Sequence, residues 1–401
     1  MNILYIANEI DVPGSNGGSV HVYEVATGLA MRGHRVLLVC RRDDKQPVFG
    51  EMDGVSVLRI AKWRVCLPFS ALPMICHRKA LKAFGPVDIV VERNNVLGGL
   101  GKALALWWGT PYLLEVNTAI YDELIAHRKI RNPITKALIF LVRRIHFGIA
   151  DHIIGTHAGL VPESARSRFS QTIWGGNTSR FAPELRQSPQ AAQLRRKLGL
   201  EGHFVVLLAT SDTRSKGNES LVHVVERVAR ADNGVRFLLV GLDASSASVR
   251  LLEQAGLEGS CVVAGRVPYS EVAEYMALGD IGLALYSRKI HPPFAKYGFY
   301  ITPIRIMECQ ALGLPVVAPR IGNMTMIVQD GRTAILVEED NFDQYAEAIL
   351  RLRETGLRSS MGLAAARHAR EELTWDKHLD QLCQLLNRLA ATTGRHSTTT
   401  R

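Results

Sequence analysis

The six cysteines, at positions 40, 66, 76, 261, 309 and 383, form no CxxC pair and no histidine-rich cluster. That pattern excludes a zinc module or a disulfide framework and points to reduced thiols, as in a cytosol. No uncharged apolar run approaches the roughly 18 residues a membrane-crossing helix needs. The first residues, MNILYIANEID, have neither a basic leader nor a small-residue cleavage site, and read as a buried strand rather than a signal peptide. After that strand there is no G-x-G-x-x-G, which disfavours a dinucleotide-dependent dehydrogenase. Aromatic RNP-like and helix-turn-helix patterns are missing too, so nothing beyond charge suggests a nucleic-acid partner.

What is present is apolar and basic. The 401 residues are 47% hydrophobic and 21% charged, long enough for two cores, with a formal charge of +10 and a pI near 9.4. Such a balance favours acidic partners: nucleotides, sugar phosphates, or an anionic surface. Two stretches concentrate the charge. Residues 57–82 hold six Lys/Arg and no acid, interleaved with apolar side chains, and basic residues recur between His127 and Arg144. Each reads as a solvated helix face, a membrane-surface patch, or a patch for an anionic acceptor. The localisation expected is cytoplasmic, with peripheral contact at the inner membrane surface.

Short β-branched runs alternate with helical patterns, the mark of a parallel α/β architecture. A first series comprises 2–7, 35–40, 87–92, 111–116, 152–156 and 172–174; a second comprises 203–210, 235–241, 261–265, 280–285, 315–319 and 334–337. Residues 180–202 read as a polar linker. The expected domains are 1–180 and 181–372, followed by a helix over 373–390 returning to the first domain and a flexible tail over 391–401. Two doubly wound sheets would leave a cleft, with ligands at the carboxyl ends of the strands.

Two loops at such ends stand out. Gly14, Gly17 and Gly18 precede a helix from about Ser19 to Arg32, where positive φ and bare backbone N–H groups would suit phosphate or sugar hydroxyls. Lys216 and Gly217, with Arg214 nearby, open a helix after the first strand of the second series, where a cation would neutralise a pyrophosphate. Glu308 lies on an expected helix over 304–312. At that spacing it can pair with Arg305 one turn away.

The ordered set GGSVHVYEVATGLAMRGHRVLLVC, IADHIIGTHAGL, SKG, VRFLLVG, VVAGRVPYSEVAEYMALGDIGLALYS and YITPIRIMECQALGLPVVAPRIGNMTMIVQDGRTAILV resembles the retaining glycosyltransferases of family 4. The likeness runs along nearly the whole chain. It implies a GT-B architecture, two Rossmann-like doubly wound domains facing a cleft. It implies Glu308 on the donor ribose, and Ile301, Thr302, Pro303 and Ile304 offering backbone N–H groups to the diphosphate or sugar. Gly17, Gly18, Lys216, Gly217, Arg266 and Val267 complete the donor set. Tyr300 stands where many members carry a first acid, and Thr210 or Ser211 where many carry an arginine, with Arg214 a candidate replacement. Lys216, Arg214 and Asn117 are the catalytic candidates. Ser19, His21, Arg64, Arg78 and Tyr121 are acceptor candidates, although His21 reads more readily as packing of the first helix.

By that resemblance the reaction is transfer of a sugar from a UDP- or GDP-sugar, anomeric configuration retained, without a metal or other cofactor. The leaving phosphate oxygen would take the acceptor's proton. No pair of catalytic carboxylates is visible, which argues against a glycosidase. The acceptor expected is phosphorylated, lipid-linked or a small metabolite. A nucleotide-sugar epimerase and a non-catalytic nucleotide-sugar-binding relative are the alternatives.

Overall fold

Apolar runs covered on both faces need no polar alternation, and here they form two parallel sheets. The structure, a computed structural model, describes residues 1–14, 16–42, 46–61, 78–96, 98–211, 216–268 and 270–394. The chain divides into two compact units: Met1–Ile173 with the chain from Trp375 onward, and Trp174–Thr374. The division falls seven residues before the boundary at 180 that the sequence suggested, because Gly176 bridges to Thr374.

The first unit holds β1 Asn2–Asp11, β2 Arg35–Arg42, β3 Phe49–Met52, β4 Val55–Ala61, β5 Ile89–Arg93, β6 Tyr112–Val116, β7 His152–Gly155 and β8 Phe169–Gln171. Their order in the sheet is β3-β4-β2-β1-β5-β6-β7-β8. All neighbours are parallel except β3 and β4, a hairpin that strand-run reading overlooked. Its signal was present: Asp53-Gly54 turns with positive φ at both residues, the two-residue hairpin geometry. The TIW run expected as a strand is not one, since β8 ends at Gln171, just before it. The first helix, Gly17–Met31, begins two residues before Ser19 because Asn16 caps it, its side chain accepting from Ser19 N (2.9 Å). The C-terminal helix, Trp375–Gly394, extends past residue 390 into the stretch expected to be flexible. It lies against the first helix, with Arg32 bonding Asp376 (2.8 Å) and Asp380 (3.1 Å).

The second unit holds β9 Phe204–Ala209, β10 Val235–Val240, β11 Cys261–Gly265, β12 Ile281–Leu283, β13 Val316–Pro319 and β14 Ala334–Val337. Their order is β11-β10-β9-β12-β13-β14, all parallel. The expected linker is structured: a helix, Pro189–Lys197, is capped by Ser188.

In each sheet the winding reverses once beside the first strand, at β1/β5 and at β9/β12. Loops leaving two adjacent strands in opposite directions open a crevice there, so ligands settle at these points.

Candidate active site

In the carboxyl-terminal half of β1, and just past the ends of β5 and β6, the chain turns from apolar to amide residues: Asn8, then Asn94 and Asn95, then Asn117. They line a pocket of about 240 Å³ at the β1/β5 reversal, together with Gly18 and Arg93. Asn95 Nδ2 donates to Asn8 Oδ1 (2.8 Å), tying the two strand ends together. A Cβ on Gly18 would come within 3.2 Å of Asn16 Oδ1, so the glycine's use is close approach. Positive φ plays no part, because none of Gly14, Gly17 and Gly18 adopts it.

Beneath the pocket lies Glu115, buried on β6. Tyr5 Oη donates to Oε2 (2.7 Å); Oε1 takes Asn117 Nδ2 (2.5 Å) and the His21 ring, with Arg93 at 3.8 Å. Burial opposes the charge, but His21, Arg93 and Asn117 outweigh it and hold the carboxyl well below the usual carboxylate range. A carboxylate can only accept, so it fixes which way the Asn117 amide faces. Asn117 Oδ1 is therefore the outward atom. It is buried and has no hydrogen-bond partner among the described residues.

His21 does not join the acceptor candidates. It is buried, its pKa lowered by burial against the pull of Glu115, and its ring sits 5.7 Å from that of Trp375 and 5.6 Å from that of His378. It lines a nearly filled void with Tyr5 and Leu382 instead of the amide pocket. Ser19 is fully buried. Tyr121 is also internal, its hydroxyl 3.1 Å from His146 Nδ1 and 3.4 Å from Asn94 Oδ1. His146 Nε2 lies 3.0 Å from Tyr112 Oη, which donates to Glu92 (2.7 Å). Because Tyr112 gives its proton to Glu92, His146 must donate from Nε2 and accept at Nδ1. Tyr121 thus spends its one proton on His146 Nδ1 and only packs against Asn94 Oδ1.

In the second unit Lys216 and Gly217 follow β9 at the β9/β12 reversal. Gly217 has φ +67°, and a Cβ there would collide with the Leu285 carbonyl just past β12, so glycine is required twice over. Lys216 Nζ lies 5.3 Å from the centroid of the Tyr286 ring and 3.5 Å from its hydroxyl. The surface-turn reading of this lysine fails, since the turn is packed and Lys216 is half-buried.

From Tyr286 an aromatic chain leads to the expected donor segment. Tyr286 meets Phe299 (4.8 Å between centroids), Phe299 meets Phe294 (5.1 Å), and Phe294 meets Tyr300 (5.1 Å). Tyr300 is buried, its hydroxyl 3.0 Å from His291 Nε2. Of the four residues expected to offer N–H groups, Pro303 has none, and Ile304 N donates to Thr302 O (3.0 Å). Ile301 and Thr302 remain. Thr302 Oγ1 is buried without a partner among the described residues.

Glu308 is 2% exposed on the helix Ile304–Ala311, and Arg305 Nη1 donates to its Oε2 (2.6 Å). The ion pair weighed at the sequence level exists, but on a buried helix face rather than a surface one. Burial raises the carboxyl's pKa, against the charges of Arg305 and Arg180. Arg266 and Val267 follow β11, the sheet edge two strands from β9; Arg266 is exposed and pairs with Asp243 (3.2 Å). Arg214 and Arg64 lie outside the described residues, as does the side chain of Arg78. Sequence reading missed Asn8, Arg93, Asn94 and Asn95, although an amide just past several strand runs was the available signal.

Residues 203–355 match the family model of Glycosyl transferases group 1, and residues 15–160 that of Glycosyltransferase Family 4. The D-inositol 3-phosphate glycosyltransferase of Acidothermus cellulolyticus is 24% identical over 405 residues, 92% of this chain and 86% of that protein. Among solved structures, sucrose-phosphate synthase of Thermosynechococcus elongatus superposes with a TM-score of 0.75 at 19% identity, over 98% of this chain and 99% of that one. HepE of Anabaena, in complex with UDP-glucose, gives 0.69 at 18% identity, over 97% and 100%.

Proposed function

We propose that this chain, which belongs to the family 4 glycosyltransferases (glycosyl transferases group 1) and has their GT-B fold, moves a sugar from a UDP- or GDP-sugar to a hydroxyl of a polyhydroxylated acceptor, retaining the anomeric configuration. The second unit takes the donor. Lys216 meets the negative charge that grows on the departing diphosphate as the sugar becomes oxocarbenium-like. Arg214 adds a second cation, Glu308 accepts from the ribose hydroxyls, and the Ile301–Thr302 backbone faces the phosphates or sugar. The leaving phosphate oxygen takes the proton of the attacking hydroxyl, so neither a metal nor a second carboxylate is required.

The first unit takes the acceptor in the amide-lined pocket. Asn117 Oδ1 accepts from an acceptor hydroxyl, and a phosphate on the acceptor meets Arg93. The D-inositol 3-phosphate glycosyltransferases, named for a phosphorylated polyol, and the UDP-glucose complex of HepE support these two assignments.

The observation that carries the reading is the Lys216–Gly217 turn, held by the Leu285 backbone where the second sheet reverses its winding. Calorimetry with UDP, GDP and ADP, followed by NMR of the product formed with the bound nucleotide's sugar and a panel of polyols, tests it. Binding of one diphosphate, and a product of unchanged anomeric configuration formed equally in EDTA, are expected. Absence of binding for every nucleoside diphosphate would overturn the donor assignment.

A further inference from the structure

The helix Pro133–Ile149 buries His146 and Phe147 on one side. On the other it exposes Ile134 (78%), Leu138 (58%), Leu141 (52%) and Ile145 (54%). These four recur at helical spacing and form one stripe, with Ala137 and Gly148 also exposed along it. An apolar stripe of this length on a four-turn helix is far more than the scattered exposed side chains normal for a protein surface.

The surrounding charge is of one sign. Residues 124–150 contain no acid and six Lys/Arg: Arg128, Lys129, Arg131, Lys136, Arg143 and Arg144. Arg128, Lys129, Arg131 and Arg144 are exposed, the first three just ahead of the helix and Arg144 beside the stripe. Arg143 is engaged otherwise, donating to Leu160 O (2.8 Å), and is left out of the count.

We propose that this face docks on an anionic lipid surface, the helix lying in the plane of the headgroups with its four aliphatic side chains inserted. The spacing of the stripe also suits pairing with a second copy, but that would bring two basic rims together with no acid on the segment to relieve them. A negatively charged bilayer meets both features at once: acyl chains for the stripe, headgroup phosphates for the rim. No helix of the described residues is long and apolar enough to cross a membrane, so attachment of this kind is peripheral and reversible.

The test uses the full chain and sucrose-loaded vesicles, either phosphatidylcholine alone or an equimolar mixture with phosphatidylglycerol, separated by sedimentation. Wild type should sediment with the anionic vesicles, less so as salt rises, and weakly with neutral ones. Leu138→Ser with Leu141→Ser, and separately Arg128→Glu with Arg131→Glu, should each lower partition about tenfold while leaving the circular-dichroism melt unchanged. Equal partition of either pair and wild type, or no binding of wild type to anionic vesicles, would overturn the proposal. So would a dimer in sedimentation equilibrium that dissolves on Leu138→Ser with Leu141→Ser, which would assign the face to a second copy. No nucleotide or acceptor enters the assay, so its outcome is independent of the transferase reading.

Discussion

The two winding reversals make an instructive pair. At β1/β5 five carboxamides line the pocket together with Glu9 and Arg93, set over a carboxylate already saturated by Tyr5, His21, Asn117 and Arg93. At β9/β12 it is a lysine laid on tyrosine, backed by aromatic rings. The same backbone device thus supplies a crevice in both units, and the few residues after each strand decide its chemistry. Amide dipoles with one outward carbonyl suit hydroxyl groups, whereas a half-buried cation suits a diphosphate. The titrating groups differ as well. Each unit fully buries a glutamate whose pKa burial raises, Glu92 in the first and Glu308 in the second, but the first also buries His21, His146 and His378, all with lowered pKa values.

The contrast breaks most sharply at Lys216. Lys216→Ala should lower kcat by about 10²–10³-fold and leave the acceptor KM unchanged, as expected for a group that meets charge present mainly in the transition state. A loss of only twofold in steady-state rates would make the two crevices chemically equivalent. The difference in titration comes next. Burial lowers His146 to about 4, and it returns to about 6.5 on unfolding. The unfolded state therefore binds the extra proton first. The stabilisation is complete above that upper value and is lost as pH falls through the window, about 2 kcal/mol from this residue at pH 5. His378, lowered to about 3, acts in the same direction. Hydrogen exchange read by mass spectrometry at neutral pH and at pH 5 should show protection lost first in residues 1–173, and uniform loss along the chain would refute this.

Asn117→Ala should lower kcat/KM for the acceptor about tenfold, the scale of one hydrogen bond to a neutral partner, with nucleotide affinity by calorimetry unaltered. An equal effect on nucleotide binding would put Asn117 on the donor. Glu308→Gln is the mildest change. The amide keeps one acceptor oxygen and removes a charge that burial disfavours, so nucleoside diphosphate affinity should fall several-fold while the melting temperature hardly moves. Unchanged affinity would take Glu308 out of the donor site.

The elements readable in the sequence were those whose signal is local. The parallel strands announced themselves as apolar runs, and Gly217 and Glu308 stood at positions where a strand-to-helix loop or a helix face gave them meaning. The Asp53-Gly54 hairpin was equally local and was passed over for want of a long run. Tyr121 was misjudged because polarity within a sequence window does not reveal which way a side chain points; it turns inward to a partner 25 residues away, as does His21, read more readily as packing, to one 94 residues away.

Composition and periodicity by themselves determined two parallel α/β units and a basic segment after residue 127, since these depend on neighbours within a few turns of chain. Which strands lie side by side, and hence which loop ends share a crevice, was decided only by folding. Asn8 and Asn95 are 87 residues apart and touch because β1 and β5 pair, and Lys216 meets Tyr286 because β9 pairs with β12. Sheet order sums many long-range contacts, so no short window of sequence carries it.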